Sequence, residues 1–143
     1  MNNVVVTGMG IVSCIGNGLN EVLENLKIGK SGITTNSIYK EMGFRSHVSG
    51  SIDIKLKELI ERKTLRFMSE AAGYAYIATQ EALTHAGIDL ESINTSKIGI
   101  VAGSGGASPA AQIEASDIAR DRGPKRIGPY AVTKTMGSTV SAI

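Results

Sequence analysis

Three features of the sequence predict an α/β fold. Ile98-Gly99-Ile100-Val101-Ala102 is apolar or Gly throughout, with no polar alternation. That pattern suits a short strand buried on both faces, as in a parallel sheet covered by helices. Val4-Val5-Val6 is a β-branched run that stops at Thr7-Gly8 and reads as a second strand with a turn after it. Leu19, Val22, Leu23 and Leu26 recur at helical spacing, as do Leu65, Met68, Ala72, Ala75, Tyr76, Thr79, Ala82, Leu83 and Ala86. A chain of 143 residues is long enough for one domain with a core.

Along the chain, Gly8-Met9-Gly10-Ile11-Val12-Ser13 has the start of a dinucleotide fingerprint, but its third glycine position holds Ser13. The next helix begins only near Leu19, too late to offer its N-terminus to a pyrophosphate. Cys14 has no His, Lys or Arg within several residues to activate it and reads as a small packing side chain. The first helix should end at Gly29. Residues 31–45 read as a surface loop and residues 47–52 as a short strand. His47 lacks neighbours at metal-ligand spacing. A helical turn is expected at 57–60 and the long helix at 64–86, closed by Gly87, with His85 in its last turn as a structural residue suited to the dipole.

Residues 88–95 read as a turn that feeds the strand at 98–102. The loop that follows, Gly103-Ser104-Gly105-Gly106-Ala107-Ser108-Pro109, is built of small residues. It is either a plain tight turn or a place where backbone approaches a ligand, since open α/β sheets bind beyond the carboxyl ends of their strands. A helix is expected at 110–119 with Ile113 and Ile118 inward, then an exposed charged loop at 120–126. Residues 139–143 are apolar or small, so the chain reads as a fragment.

Composition narrows the function. Fifteen Lys and Arg against 13 Asp and Glu give a net charge of +2, too small to argue for nucleic acid. One cysteine excludes an internal disulfide and points to a reducing compartment. No apolar run approaches the roughly 20 residues that span a bilayer, and no signal peptide is visible. The expectation is a soluble cytoplasmic protein, with no cofactor and no metal. Arg62, Lys63 and Arg66 cluster where the long helix is expected to begin, against the sense of its dipole. Arg120, Arg122, Lys125 and Arg126 form a second basic group. If the two groups meet in space, they make a patch for an acidic partner; otherwise they are two solvated faces.

The sequence resembles the N-terminal part of the β-ketoacyl-acyl carrier protein synthases, the condensing enzymes of fatty acid synthesis, and among them the synthase I type. The resemblance rests on Val5-Val6-Thr7-Gly8-Met9-Gly10-Ile11-Val12-Ser13, Gly29-Lys30-Ser31-Gly32-Ile33, Arg45-Ser46-His47-Val48, Arg62-Lys63 with Arg66-Phe67-Met68-Ser69, Gly103-Ser104-Gly105-Gly106 with Ser108-Pro109, and Gly128-Pro129-Tyr130 with Val132-Thr133-Lys134. It implies a thiolase-like fold, of which residues 1–143 would be an incomplete first half, with a mixed sheet covered by helices and an edge left exposed. It also implies a homodimer and acyl carrier protein as partner. The implied chemistry is decarboxylative condensation with malonyl-acyl carrier protein through a cysteine nucleophile. That cysteine is expected some twenty residues past Ile143, and two histidines and a lysine further on. No catalytic residue is therefore expected in this chain, and Cys14 is not one. The resemblance makes Arg62, Lys63, Arg66, Arg122 and Lys125 carrier-protein docking residues, and places Gly106, Thr133 and Met136 at the acyl pocket or dimer interface.

Two other classes compete with an enzyme. A non-catalytic relative that sets chain length or partners an active subunit would differ at the nucleophile position. A phosphate-binding domain built on Gly103 to Gly106 would need a Lys-Ser/Thr after the loop, which is absent.

Overall fold

The computed structural model describes residues 3–89, 91, 95–106 and 108–143. The chain divides into two units, Met1–Ile54 with Ile77–Asp89 and Lys55–Tyr76 with Leu90–Ile143.

In the first unit, β1 (Val12–Ser13) and β2 (Gly16–Asn17) form an antiparallel hairpin with Val12 opposite Asn17. The Ser13 hydroxyl ties the turn by donating to the Gly16 carbonyl at 3.2 Å and accepting from Ile15 N–H at 3.3 Å. Helix α1 (Leu19–Lys27) follows and ends before Gly29, whose φ of +65° is where glycine carries no Cβ penalty. Its expected stripe is narrower than the spacing suggested. Val22 is buried, but Leu23 and Leu26 are exposed, and Asn25 takes the second inward position. The cause is the hairpin: the Ile15 carbonyl needs a donor, and the Asn25 amide supplies it.

Strands β3 (Ile33–Thr35) and β4 (Val48–Gly50) pair antiparallel, with Thr34 opposite Ser49. Residues 31–45 are thus not a loop: they hold β3 and the short helix α2 (Ser37–Glu41). Asn36 caps α2 by accepting from Tyr39 N–H at 3.3 Å. The half-buried Cys14 packs where a Cβ on Gly32 or Gly50 would crowd its sulfur, as a small packing side chain.

The long helix of the sequence is two pieces, α4 (Arg62–Leu65) and α5 (Glu70–His85). Ser69 makes the break by capping α5: its hydroxyl accepts from Ala72 N–H at 3.3 Å and its carbonyl from Gly73 N–H at 3.0 Å. Apolar periodicity runs straight across this cap, which is why spacing alone joined the two. In the first unit the last turns of α5 receive the loop of residues 8–11. A Cβ on Gly8 would overlap the Ala82 carbonyl, and one on Gly10 the Ala78 carbonyl. Those glycines serve close packing, not a nucleotide. Glu81 ties that loop to the start of α1, accepting from Ile11 N–H at 2.9 Å and, at its other oxygen, from Leu19 N–H at 2.7 Å. His85 accepts from Met9 N–H at 3.1 Å through Nδ1, a structural role.

In the second unit α3 (Leu56–Leu59) and α4 precede the first turns of α5, with Ile60, Met68 and Ala72 buried and Gly73 against the Leu56 methyl groups. Helix α6 (Pro109–Arg122) starts at Ser108, whose hydroxyl caps Ala111 N–H, with Pro109 in its first turn. It runs past the expected end, so Arg120 and Arg122 lie in its last turn rather than in a loop, on the favourable side of its dipole. Ile113 is exposed and Ile118 half-buried. Gly123, with φ +85°, ends α6, and a helical turn (Pro124–Arg126), α7 (Ala131–Thr135) and α8 (Thr139–Ala142) complete the unit.

The two apolar runs expected as strands have no ladder partner among the described residues. Val4 is 96% exposed and Val101 fully so. The mixed sheet covered by helices is accordingly absent among the described residues, where two antiparallel pairs stand instead. A buried strand exists only through its neighbours, so an apolar sequence cannot form one alone. The turn expected at 88–95 falls partly outside the described residues; Thr95–Lys97 is a 3-10 turn. Among the described residues no helix is long and apolar enough to cross a membrane.

Candidate functional site

The site is best built from α4. Glu61 precedes it, and the helix is so short that Arg62, Lys63 and, just past its end, Arg66 all project from one turn and a half. All three are exposed. Because α4 is separate from α5, these cations do not oppose the dipole of the long helix, which begins instead with Glu70. Lys63 pairs with Glu61 at 2.9 Å, and the hydrogen bond to that carboxylate holds the ammonium above its usual 10.5. Among the described residues Arg62 and Arg66 have no carboxylate at ion-pair distance.

Gly128 and Pro129 lead the chain into Tyr130, whose carbonyl accepts from Lys134 N–H at 3.1 Å and from the Thr133 hydroxyl at 2.9 Å. That first turn of α7 presents the Tyr130 ring to α4. Phe67 and Tyr130 meet edge to face, centroids 4.8 Å apart and planes at 80°. The Arg66 guanidinium carbon lies 5.0 Å from the Phe67 centroid and 5.1 Å from that of Tyr130, within reach of both faces.

Two open hollows flank this cluster. One, of about 510 Å³, is lined by Arg62, Lys63, Arg66 and Tyr130. The other, of about 470 Å³, is lined by Lys57, Arg62, Leu65, Arg66 and Lys134. Five cations therefore border two adjoining hollows. Lys57, Tyr130 and Lys134 escaped the sequence reading as site residues; their distance along the chain hid them, although Tyr130 and Lys134 lie in a motif that carried the resemblance.

The second basic group is elsewhere in this unit. Arg122 lines a different hollow with Glu114, Asp117 and Asp121, and Lys125 lies in the helical turn after α6. Thus Arg62, Lys63 and Arg66 come together, whereas Arg122 has acidic company. Gly106 is exposed; its carbonyl accepts from the Ser104 hydroxyl at 2.8 Å, and a Cβ on it would meet nothing within 4 Å. Thr133 fastens α7 to α8 by accepting from the buried Thr139 hydroxyl, and Met136 is about half exposed. Among the described residues no three His, Cys, Asp or Glu gather as a metal-binding group.

A glycine-bearing loop thus packs on a helix end, and two of the three clustered cations, Arg62 and Arg66, stand without an ionic partner among the described residues beside an aromatic pair. The fold is thiolase-like. Residues 1–143 match the Beta-ketoacyl synthase, N-terminal domain, and the chain belongs to that family. It is 49% identical over 143 residues to 3-oxoacyl-acyl-carrier-protein synthase 1 of Haemophilus influenzae, covering 99% of this chain and 35% of that protein. The chain thus spans about a third of the length of this relative. The crystal structure of a β-ketoacyl synthase from Burkholderia phymatum STM815 superposes with a TM-score of 0.80 at 26% identity, covering 99% of this chain and 36% of that one. A type II polyketide ketosynthase, solved in complex with its acyl-carrier protein, superposes with a TM-score of 0.71 at 21% identity, over 96% of this chain and 37% of that one.

Proposed function

We propose that this chain is the N-terminal part of a cytoplasmic, homodimeric condensing enzyme that elongates acyl chains on acyl carrier protein. A cysteine outside residues 1–143 takes the acyl group as a thioester and frees the carrier's thiol. Malonyl-acyl carrier protein then loses carbon dioxide, and the carbanion attacks that thioester. The cysteine thiol leaves, and the product is a 3-oxoacyl chain two carbons longer. An oxyanion hole and two histidines, also outside these residues, stabilise the developing charge.

The contribution of residues 1–143 is docking and support. Arg62, Lys63 and Arg66, unpaired but for Lys63, face an acidic carrier protein, with Arg122 and Lys125 as outlying contacts. Gly106, Thr133 and Met136 belong to the acyl pocket or dimer interface. The apolar runs at 4–6 and 98–102 gain strand neighbours from the rest of the protein. The observation that carries this reading is the 49% identity to a 3-oxoacyl-acyl-carrier-protein synthase 1 across nearly the whole chain. The polyketide ketosynthase solved with its carrier protein supports the choice of partner.

The test uses the full-length protein with acyl- and malonyl-acyl carrier protein. Equimolar carbon dioxide and 3-oxoacyl-acyl carrier protein are expected. Carrier binding with neither product would instead assign a non-catalytic chain-length or partner subunit.

A further inference from the structure

We infer that Tyr130 is a positioning residue for the docking face: with Phe67 it holds the Arg66 guanidinium in place, so that Arg66 meets a carboxylate of an acidic protein partner already oriented. The inference rests on the docking reading above and goes beyond it, because it makes an uncharged side chain from a distant helix part of the recognition surface. Its warrant is geometric. An exposed arginine ordinarily samples many rotamers, and ordering it on binding costs free energy. Here the Arg66 guanidinium carbon lies 5.0 and 5.1 Å from two ring centroids, inside the roughly 6 Å reach of a cation–π contact. The rings are themselves fixed by their edge-to-face contact at 4.8 Å. Tyr130 is further anchored through its carbonyl, which accepts from Thr133 and Lys134. Among the described residues no carboxylate pairs with Arg66, so its donors stay available. Arg62 and Lys63 share the hollow that the Tyr130 ring lines.

Guanidinium chemistry adds a specificity. With the aromatic rings against it, Arg66 offers a planar fork of N–H donors suited to a two-point contact with carboxylate. A lysine at the same position keeps the charge and loses both the fork and its fit to the rings. Charge alone therefore does not describe the site.

The experiment is a titration of the full-length protein with acyl carrier protein at low salt, for Arg66→Ala, Arg66→Lys, Tyr130→Phe, Tyr130→Leu and the Tyr130→Leu/Arg66→Ala pair. Tyr130→Phe should bind like the parent. Tyr130→Leu should bind about three- to fivefold more weakly, and the pair no more weakly than Arg66→Ala alone. Arg66→Lys, which leaves the fold undisturbed, should lose a similar factor despite its charge. Tyr130→Leu with parental affinity, while Arg66→Ala is weakened, would overturn the inference and leave the docking reading intact. Parental affinity of Arg66→Lys would overturn it equally, even where Tyr130→Leu does not fold. An unweakened Arg66→Ala would instead remove the docking reading itself.

Discussion

Two glycine-bearing loops of this chain look alike in sequence and differ in every physical respect. The loop at residues 8–11 is closed against the end of α5, with helix carbonyls standing where the Cβ atoms of Gly8 and Gly10 would be and Glu81 holding the Ile11 amide. In the loop at 103–106 a Cβ on Gly103, Gly105 or Gly106 would find open space among the described residues. In the first, glycine is demanded by packing. In the second, packing among the described residues makes no such demand. The same contrast holds for charge. Glu81 spends both carboxylate oxygens on backbone amides, whereas Arg62 and Arg66 have no ionic partner among the described residues. Closed groups hold the fold, and open ones are available to a partner.

One methyl group added to each loop tells the two apart. Gly10→Ala in the full-length protein should cost about 3 kcal/mol or more, because a backbone carbonyl cannot move aside. Gly103→Ala, at a glycine whose φ is not positive, should stay within about 0.5 kcal/mol. Chemical denaturation of both variants measures the difference; equal losses would erase the distinction.

Glu81 ranks next. Glu81→Ala leaves two amides without their charged acceptor and should cost about 2–4 kcal/mol. Glu81→Gln keeps one acceptor oxygen and should lose about half as much. If Glu81→Ala unfolds at the parental denaturant concentration, the loop is held by packing alone.

The smallest effect is electrostatic. The hydrogen bond to Glu61 raises the Lys63 pKa, so between neutral pH and 10.5 this exposed pair favours the folded state, and it loses that contribution as pH climbs through the raised value. Glu61→Gln should bring the Lys63 titration back down, followed by NMR of its side chain. No movement would mean that the 2.9 Å pair does not persist in solution.

These contrasts also explain what could be read from the sequence. Helix α1 and its stop at Gly29, the turn at α3 and the strand β4 were legible, because cap, spacing and glycine act within a few residues. The break at Ser69 was not, since a side-chain cap interrupts the backbone without interrupting apolar periodicity. Asn36 was a legible cap left unread, and α2 went with it. The strands at 4–6 and 98–102 failed for another reason: their pattern describes surroundings that the described residues do not supply. At the site, Arg62, Lys63 and Arg66 were found because they are neighbours in sequence. Tyr130 and Lys134 reach them only through the fold, and the acidic company of Arg122 comes from the helix that the reading stopped short.

Docking of an acidic carrier protein on the open cations at α4 stands or falls on one affinity. Its most direct test is the affinity of the full-length protein for acyl carrier protein, at low salt, after Lys63→Glu with Arg66→Glu. A loss of at least about tenfold is expected, shrinking as salt is added and both proteins are screened. Unchanged affinity at low salt would contradict it.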